Sequence, residues 1–196
     1  MDVARAEEAA LQAQEASRPA APPSADPVPD DAQAPRTGEP DDMFKAGAGR
    51  WGTREAEIVA VDLLRREGSV GHVFQSGEPV AIRMRVLAHQ PLADFVFGVG
   101  IFNADGVCCY GTNTAIEGGA AGELDGEAEV TFHIERLDLV EGAYRVDVAV
   151  HRQNGAPYDY HRLLHGFRVT SRQKDTGIFR PPHRWTFSGG VRVSGL

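Results

Sequence analysis

Cysteine is nearly absent, and the two present, Cys108 and Cys109, are neighbours. Adjacent strand residues point to opposite faces, and a disulfide between neighbours is strained. The pair therefore rules out a disulfide framework and predicts two inert packing residues in a reduced, cytoplasmic setting. No second pair stands at zinc-ligand spacing. Long apolar runs are missing too: nothing approaches the roughly 20 residues of a membrane helix, and no basic segment followed by an apolar core opens the chain as a secretory signal would. Positive charge is in deficit, with 20 Lys and Arg against 28 Asp and Glu and a net charge of −8. That balance argues against a nucleic-acid partner, which calls for a basic footprint, and against an anionic membrane surface.

Several chemistries lack their residues. There is no G-x-x-x-x-G-K-[ST] phosphate loop, and the glycines of GVGIFNADG sit inside a strand pattern with no helix behind them. Of the seven histidines, His161 and His165 are separated by three residues, while His133 and His151 fall on the solvent phase of their strands. That is not the two-histidine-plus-carboxylate cluster of a sandwich metal site, so no metal and no cofactor are expected. Glycoside hydrolysis needs two facing acids. Asp147 is the one acid centred in a strongly patterned strand, and Arg145 lies beside it on the same face. No strand-turn-helix setting for a serine nucleophile is visible. The chain reads as not an enzyme.

Composition breaks near residue 50. Residues 1–50 hold seven of the twelve prolines and ten of the 28 acidic residues. A short helix at 3–16 is conceivable. Residues 18–42 cannot bury enough apolar surface to offset ordering entropy, which predicts a disordered Ala/Pro-rich acidic tail or linker over 1–49. From 50 to 196 the period is two. Ile82, Met84 and Val86 alternate with Arg83 and Arg85. Phe95, Phe97, Val99 and Ile101 share one face of their strand, and Val96, Gly98, Gly100 and Phe102 the other. Val130, Phe132 and Ile134 alternate with Thr131 and His133. Tyr144, Val146, Val148 and Val150 alternate with Arg145, Asp147, Ala149 and His151. Further strand-like runs are 55–65, 107–112, 163–170 and 183–193, with turn signals such as Ser76-Gly77-Glu78-Pro79 and Asn103-Ala104-Asp105-Gly106 between them. No helical stripe persists after residue 50. The pattern predicts an all-β chain, an antiparallel β-sandwich, with strand order left open.

The outward phases carry Arg83, Arg85, Arg145, Asp147, Thr131 and His133, a set rich in directional hydrogen-bonding groups. Gly98 and Gly100 would leave a groove between bulkier neighbours. Tyr110, Tyr158, Tyr160 and Trp185 lie near the strand ends. Planar polar groups beside exposed rings suit a sugar. The competing reading is a solvated sheet face laced with cross-strand charge pairs. The Gly-Thr-Asn-Thr run at 111–114 likewise has two readings. Its side chains either face a glycan or bond the local backbone where the strand stops.

The stretches RWGTREAEI (50–58), FQSGEPVAIRMRV (74–86), FVFGVGIFNADGVCCYGTNT (95–114), LVEGAYRVDVAV (139–150) and YDYHRLLHGFRV (158–169) together resemble the C-terminal carbohydrate-binding domain of the nucleotide-binding subunit of bacterial O-antigen polysaccharide ABC exporters, the Wzt type. The resemblance covers nearly all of residues 50–190, and RWGTREAEI and YGTNT are its most specific parts. It implies an immunoglobulin-like or jelly-roll sandwich that binds a cell-surface polysaccharide on one sheet and couples recognition to export. Arg83, Arg85, Arg145 and Asp147, with Tyr110 or Tyr158 as a stacking ring, are the residues expected to bind the glycan. It also implies a homodimer through the C-terminal strand, here 183–193, and an ABC exporter ATPase or permease as partner at the inner face of the inner membrane. The ATPase domain that precedes the sandwich in the family has no counterpart in residues 1–49, so the chain reads as a fragment or as a freestanding glycan-binding protein. The rival readings are a protein-interaction or dimerisation sandwich without a sugar site, and a glycan-modifying enzyme with a deep pocket.

Overall fold

Alternating apolar residues produce strands that each bury one face, and two sheets close over those faces. In the computed structural model, which describes residues 48–194, nine strands are formed: β1 (Gly49–Trp51), β2 (Ala56–Arg65), β3 (Val73–Gln75), β4 (Val80–Leu92), β5 (Val96–Asn103), β6 (Cys108–Asn113), β7 (Leu124–Ile134), β8 (Gly142–His151) and β9 (Pro157–Thr170). The larger sheet runs β1-β9-β8-β5-β6, with β3 also along β9, and the smaller runs β2-β4-β7. All pairings are antiparallel except β3 with β9. One apolar cluster lies between the sheets, built from Ile82, Met84 and Val86 on one side and Val146, Val148 and Val150 on the other. The expected all-β sandwich is the fold, and no helix occurs among the described residues.

Two elements escaped the sequence reading. β1 and β3 are three residues each, too short to show a period. One expectation is corrected: residues 183–193 form no strand. A strand needs an edge to pair with, and this run lies in solvent, with Trp185 70% exposed. Of the tail expected over 1–49, residues 1–47, with the helix at 3–16, lie outside the described residues, and Gly49 already belongs to β1.

The segment RWGTREAEI closes one side of the sandwich. Its centre is Asp159, on β9 and fully buried. Arg50 donates to both carboxylate oxygens, at 2.9 Å from Nε and 2.6 Å from Nη2, and Arg54 adds a further ion pair. The Ile58 amide on β2 donates to the same carboxylate at 2.7 Å. One side chain of the larger sheet thus holds the first strand, the loop after it and the edge of the smaller sheet. The loop can make this approach only because residue 52 is glycine. It has φ +139°, and a Cβ there would lie 2.2 Å from the Tyr158 carbonyl oxygen. Trp51 stacks on Tyr160 with ring centroids 4.8 Å apart.

Burial pushes the Asp159 carboxyl up, but the His161 imidazole, the Arg50 guanidinium and the Ile58 amide outweigh it and hold the group well below the ordinary carboxylate range. His161 in turn meets His165, with Nδ1 and Nε2 3.1 Å apart. Burial, then the neighbouring His161, lowers the His165 pKa from the ordinary 6.5. Both groups bind fewer protons folded than unfolded, so both contributions are present at neutral pH and are lost on acidification. Stability measured by urea unfolding should fall first as pH drops below about 6.5, and again below about 4 as Asp159 is forced to protonate. His165→Gln should flatten the upper step and leave the lower one in place.

Candidate functional site

The six residues expected to bind a ligand do not share a surface. Arg83 and Arg85 stand on β4 opposite the buried Ile82, Met84 and Val86, so they point away from the core on the smaller sheet. Arg145 and Asp147 stand on β8 opposite Val146 and Val148, so they point away from the core on the larger one. The two pairs therefore face in opposite directions. Arg83 is held by Asp62 at 2.7 Å, on the neighbouring strand β2, which is the cross-strand charge pairing that served as the competing reading. Arg85 is exposed, opposite Glu129 in register.

Asp147 is 2% exposed and accepts hydrogen bonds from Arg162 at 2.7 Å, Tyr160 Oη at 3.0 Å and the Leu163 amide at 2.6 Å. The cause lies in the register. Val146 pairs with His165 and Val148 with His161, so β9 carries two more residues than β8 across this stretch. Leu163, at the bulge, has φ 54°. Its amide bonds the Asp147 carboxylate, and its carbonyl accepts from Arg145 Nη1 at 3.0 Å. The Arg145/Asp147 pattern thus clamps a bulge whose backbone has lost its ladder partners. Burial, and then the Asp147 charge, drives the Tyr160 hydroxyl pKa far above its ordinary value. Tyr158 is 1% exposed, its hydroxyl bonds the Asp94 carbonyl at 2.8 Å, and the Arg152 guanidinium covers its ring. It cannot stack on a ligand. The supposed groove at Gly98 and Gly100 is narrowed by Phe102, whose ring edge would meet a Cβ on Gly100 at 2.9 Å.

Tyr110 is different. It is 49% exposed, pairs in register with Ile101 on the core-facing side of β6, and stacks on Phe132 of β7 with ring centroids 6.4 Å apart. This contact bridges the second seam of the sandwich, between β6 of the larger sheet and β7 of the smaller. The seam is open here and holds a cleft of about 240 Å³. Met84, Val99, Val130 and Phe132 form its apolar wall, and Thr112, Asn113, Thr114, Glu117 and Thr131 its polar rim. Both readings of Gly-Thr-Asn-Thr thus have a structural counterpart. Asn113 Oδ1 accepts from the Ile116 amide at 2.8 Å, and Thr114 Oγ1 from the Phe97 amide at 3.1 Å, which fixes the end of the strand. Thr112 Oγ1 donates to Glu117 at 2.8 Å. The same residues line the cleft.

Sequence reasoning missed Phe97, Phe132 and Glu117 as cleft residues because the two aromatics read as core and the acid as loop. The signal available was that Tyr110 shares a hairpin with the polar run two residues on. Among the described residues, no group of three or more His, Cys, Asp or Glu is gathered to hold a metal, and no helix is long and apolar enough to cross a membrane.

A nine-strand, two-sheet sandwich with one latched and one open seam is the fold class. It matches a solved structure described as the C-terminal domain of Wzt with a TM-score of 0.67 and 20% identity, over 76% of this chain and 98% of that one. Residues 48–181 match the family model of the Wzt C-terminal domain, and the chain belongs to that family. A Myxococcus xanthus protein named O-antigen export system ATP-binding protein RfbB is 30% identical over 134 residues, which is 68% of this chain and 30% of that protein. The chain thus spans under a third of that relative's length.

Removing the Asp147 carboxylate takes away the acceptor that the buried Arg162 guanidinium, the Tyr160 hydroxyl and the Leu163 amide share. Asp147→Ala should therefore cost about 3 kcal/mol of stability, read as a lowered denaturation midpoint. Arg85→Ala should stay within about 0.5 kcal/mol of the parent.

Proposed function

We propose that the chain is a non-catalytic module that binds a bacterial surface polysaccharide and serves an O-antigen export system. Membership of the Wzt C-terminal domain family and the name of the Myxococcus relative support the export role. The observation that carries the binding role is the open β6–β7 seam. There an exposed tyrosine lies against a second ring beside a rim of hydroxyl, amide and carboxylate groups. Small-molecule sites combine apolar walls with a few convergent polar groups in this way. Of the residues expected from sequence, Tyr110 remains as the contact ring. Arg85 stays exposed on the outer face of the smaller sheet, while Arg145 is engaged with the Leu163 carbonyl of the β9 bulge. Arg83, Asp147 and Tyr158 support the scaffold. The reading places the chain in the cytoplasm beside an exporter's ATPase and permease.

Titration calorimetry of the full chain with the surface polysaccharide of the source organism, alongside an unrelated polysaccharide, tests this. Saturable heat with the native glycan alone is expected, and Tyr110→Ala should weaken it roughly ten-fold, as loss of one aromatic contact does. Absence of heat from a folded chain would sink the binding role.

A second reading concerns self-association and stands beside the first. Trp185, Phe187, Val191 and Val193 recur at odd positions and are 70%, 47%, 55% and 53% exposed. Arg184, Thr186, Ser188 and Arg192 occupy even ones. This is the alternation of a half-buried strand in a segment that forms no strand within one chain, and a second copy of the chain supplies the missing edge. Sedimentation analysis should find a dimer for the full chain and a monomer when residues 183–196 are deleted. A deletion variant that remains dimeric would place the interface elsewhere.

A further inference from the structure

Resting on the glycan-binding reading, we infer that the β6–β7 cleft selects a neutral sugar bearing an apolar substituent, such as the methyl group of a 6-deoxyhexose, over its fully hydroxylated and its anionic counterparts. Three observations lead there. The first is size. A cleft of about 240 Å³ is on the scale of one sugar residue, with the rest of a polysaccharide outside it, so specificity is set by what that residue presents.

The second is the wall. Met84 and Val99 are nearly buried, at 1% and 8% exposure, and Val130 and Phe132 are packed against the core beside them. None of these four side chains donates or accepts a hydrogen bond. A hydroxymethyl group set against them would lose its water without gaining a partner, whereas a methyl group loses nothing polar. The ordinary sandwich interior would close such a wall over. Its outer part, Val130 and Phe132, stays partly exposed where β6 ends at Asn113 and the turn that follows is tied back on itself through the Ile116 amide.

The third is the rim. Thr112 Oγ1 gives its proton to Glu117 and so faces a ligand as an acceptor, as does the carboxylate. Thr114 Oγ1 accepts from the Phe97 amide, which leaves its own O–H to donate. Glu117 is the one ionisable group on the lining, and among the described residues no Arg, Lys or His lines it. A rim of hydroxyl, amide and carboxylate groups with one negative charge and no cation both accepts from and donates to neutral sugar hydroxyls. It repels a uronate or a phosphate ester, whose charge would be desolvated beside a carboxylate.

The test uses the full chain, labelled with ¹⁵N, and sugar pairs that differ by one hydroxyl: L-rhamnose against L-mannose, and L-fucose against L-galactose, with D-glucuronate as the anion. Amide shifts at Thr112–Gly119 and Phe132 report the cleft. In at least one pair the deoxy sugar should bind roughly ten-fold tighter, the scale at which an apolar pocket tells a methyl from a hydroxyl-bearing group, and glucuronate should not compete. Val130→Thr, on the open edge strand, should keep the fold and bring that ratio close to one. Equal affinity within both pairs overturns the inference and leaves the glycan reading standing, and so does preference for glucuronate. Shifts from the source polysaccharide at cleft amides with none from either deoxy sugar, or shifts confined to residues outside the cleft, do the same. If neither the sugars nor the source polysaccharide perturb a folded chain, both readings fall together.

Discussion

A single buried carboxylate organises this domain. Asp159 lies at the point where the first strand, the loop behind it and the edge of the smaller sheet converge on β9, and it accepts from a group in each of them. An isolated carboxylate in that position would be prohibitively costly to desolvate. Two guanidiniums and a backbone amide make it tolerable and fix three segments in one geometry. The arrangement is specific in a way that apolar packing is not, because hydrogen bonds of this kind have one register. Gly52 follows from it, since the chain that delivers both arginines has to pass against the Tyr158 carbonyl.

Locking one seam leaves the other free to differ. Where β1, β2 and β9 meet, ionic contacts close the sandwich. Where β6 and β7 meet, the Tyr110–Phe132 ring contact spans the gap, and a pair of that kind contributes about 1 kcal/mol. The asymmetry assigns rigidity to one side and access to the other. It also explains the outward-facing polar residues of the large sheet. They hold the β9 bulge in place and are consumed in doing so, whereas the polar residues of the open seam satisfy the local backbone and keep a face toward the cleft.

The sandwich was legible because alternation is a local property. Val146, Val148 and Val150 announce the buried face of β8 without reference to any other strand, and the same holds for Ile82, Met84 and Val86. What alternation cannot report is which outward face lies beside which. Arg83 and Asp147 look equivalent in sequence, yet they belong to sheets whose outer faces point apart. Asp159 and Arg50 are separated by 109 residues, and no local pattern links them. The buried role of Asp147 depended on a bulge in β9, which breaks the register that the alternation argument assumes. The hairpin stretch ending in Gly-Thr-Asn-Thr stands out in sequence because it is locally odd, and it lies at the open seam. Its neighbours Phe97 and Phe132 carry no such signal, because an aromatic in a strand reads as core whether or not the core is closed above it.

The order of the strands sets the order in which the domain is completed during synthesis. The smaller sheet, β2-β4-β7, has all its strands once residue 134 has emerged from the ribosome. The larger one must wait for β9, which begins at Pro157 and pairs with β1, β3 and β8. Until then the earliest strand has no neighbour, Arg50 and Arg54 have no Asp159, and the apolar face of the smaller sheet has only part of its cover. Pairings this distant along the chain are slow to form. The sandwich can therefore close only once β9 has been made, and between residues 134 and 170 the nascent chain carries a finished smaller sheet in search of its other half.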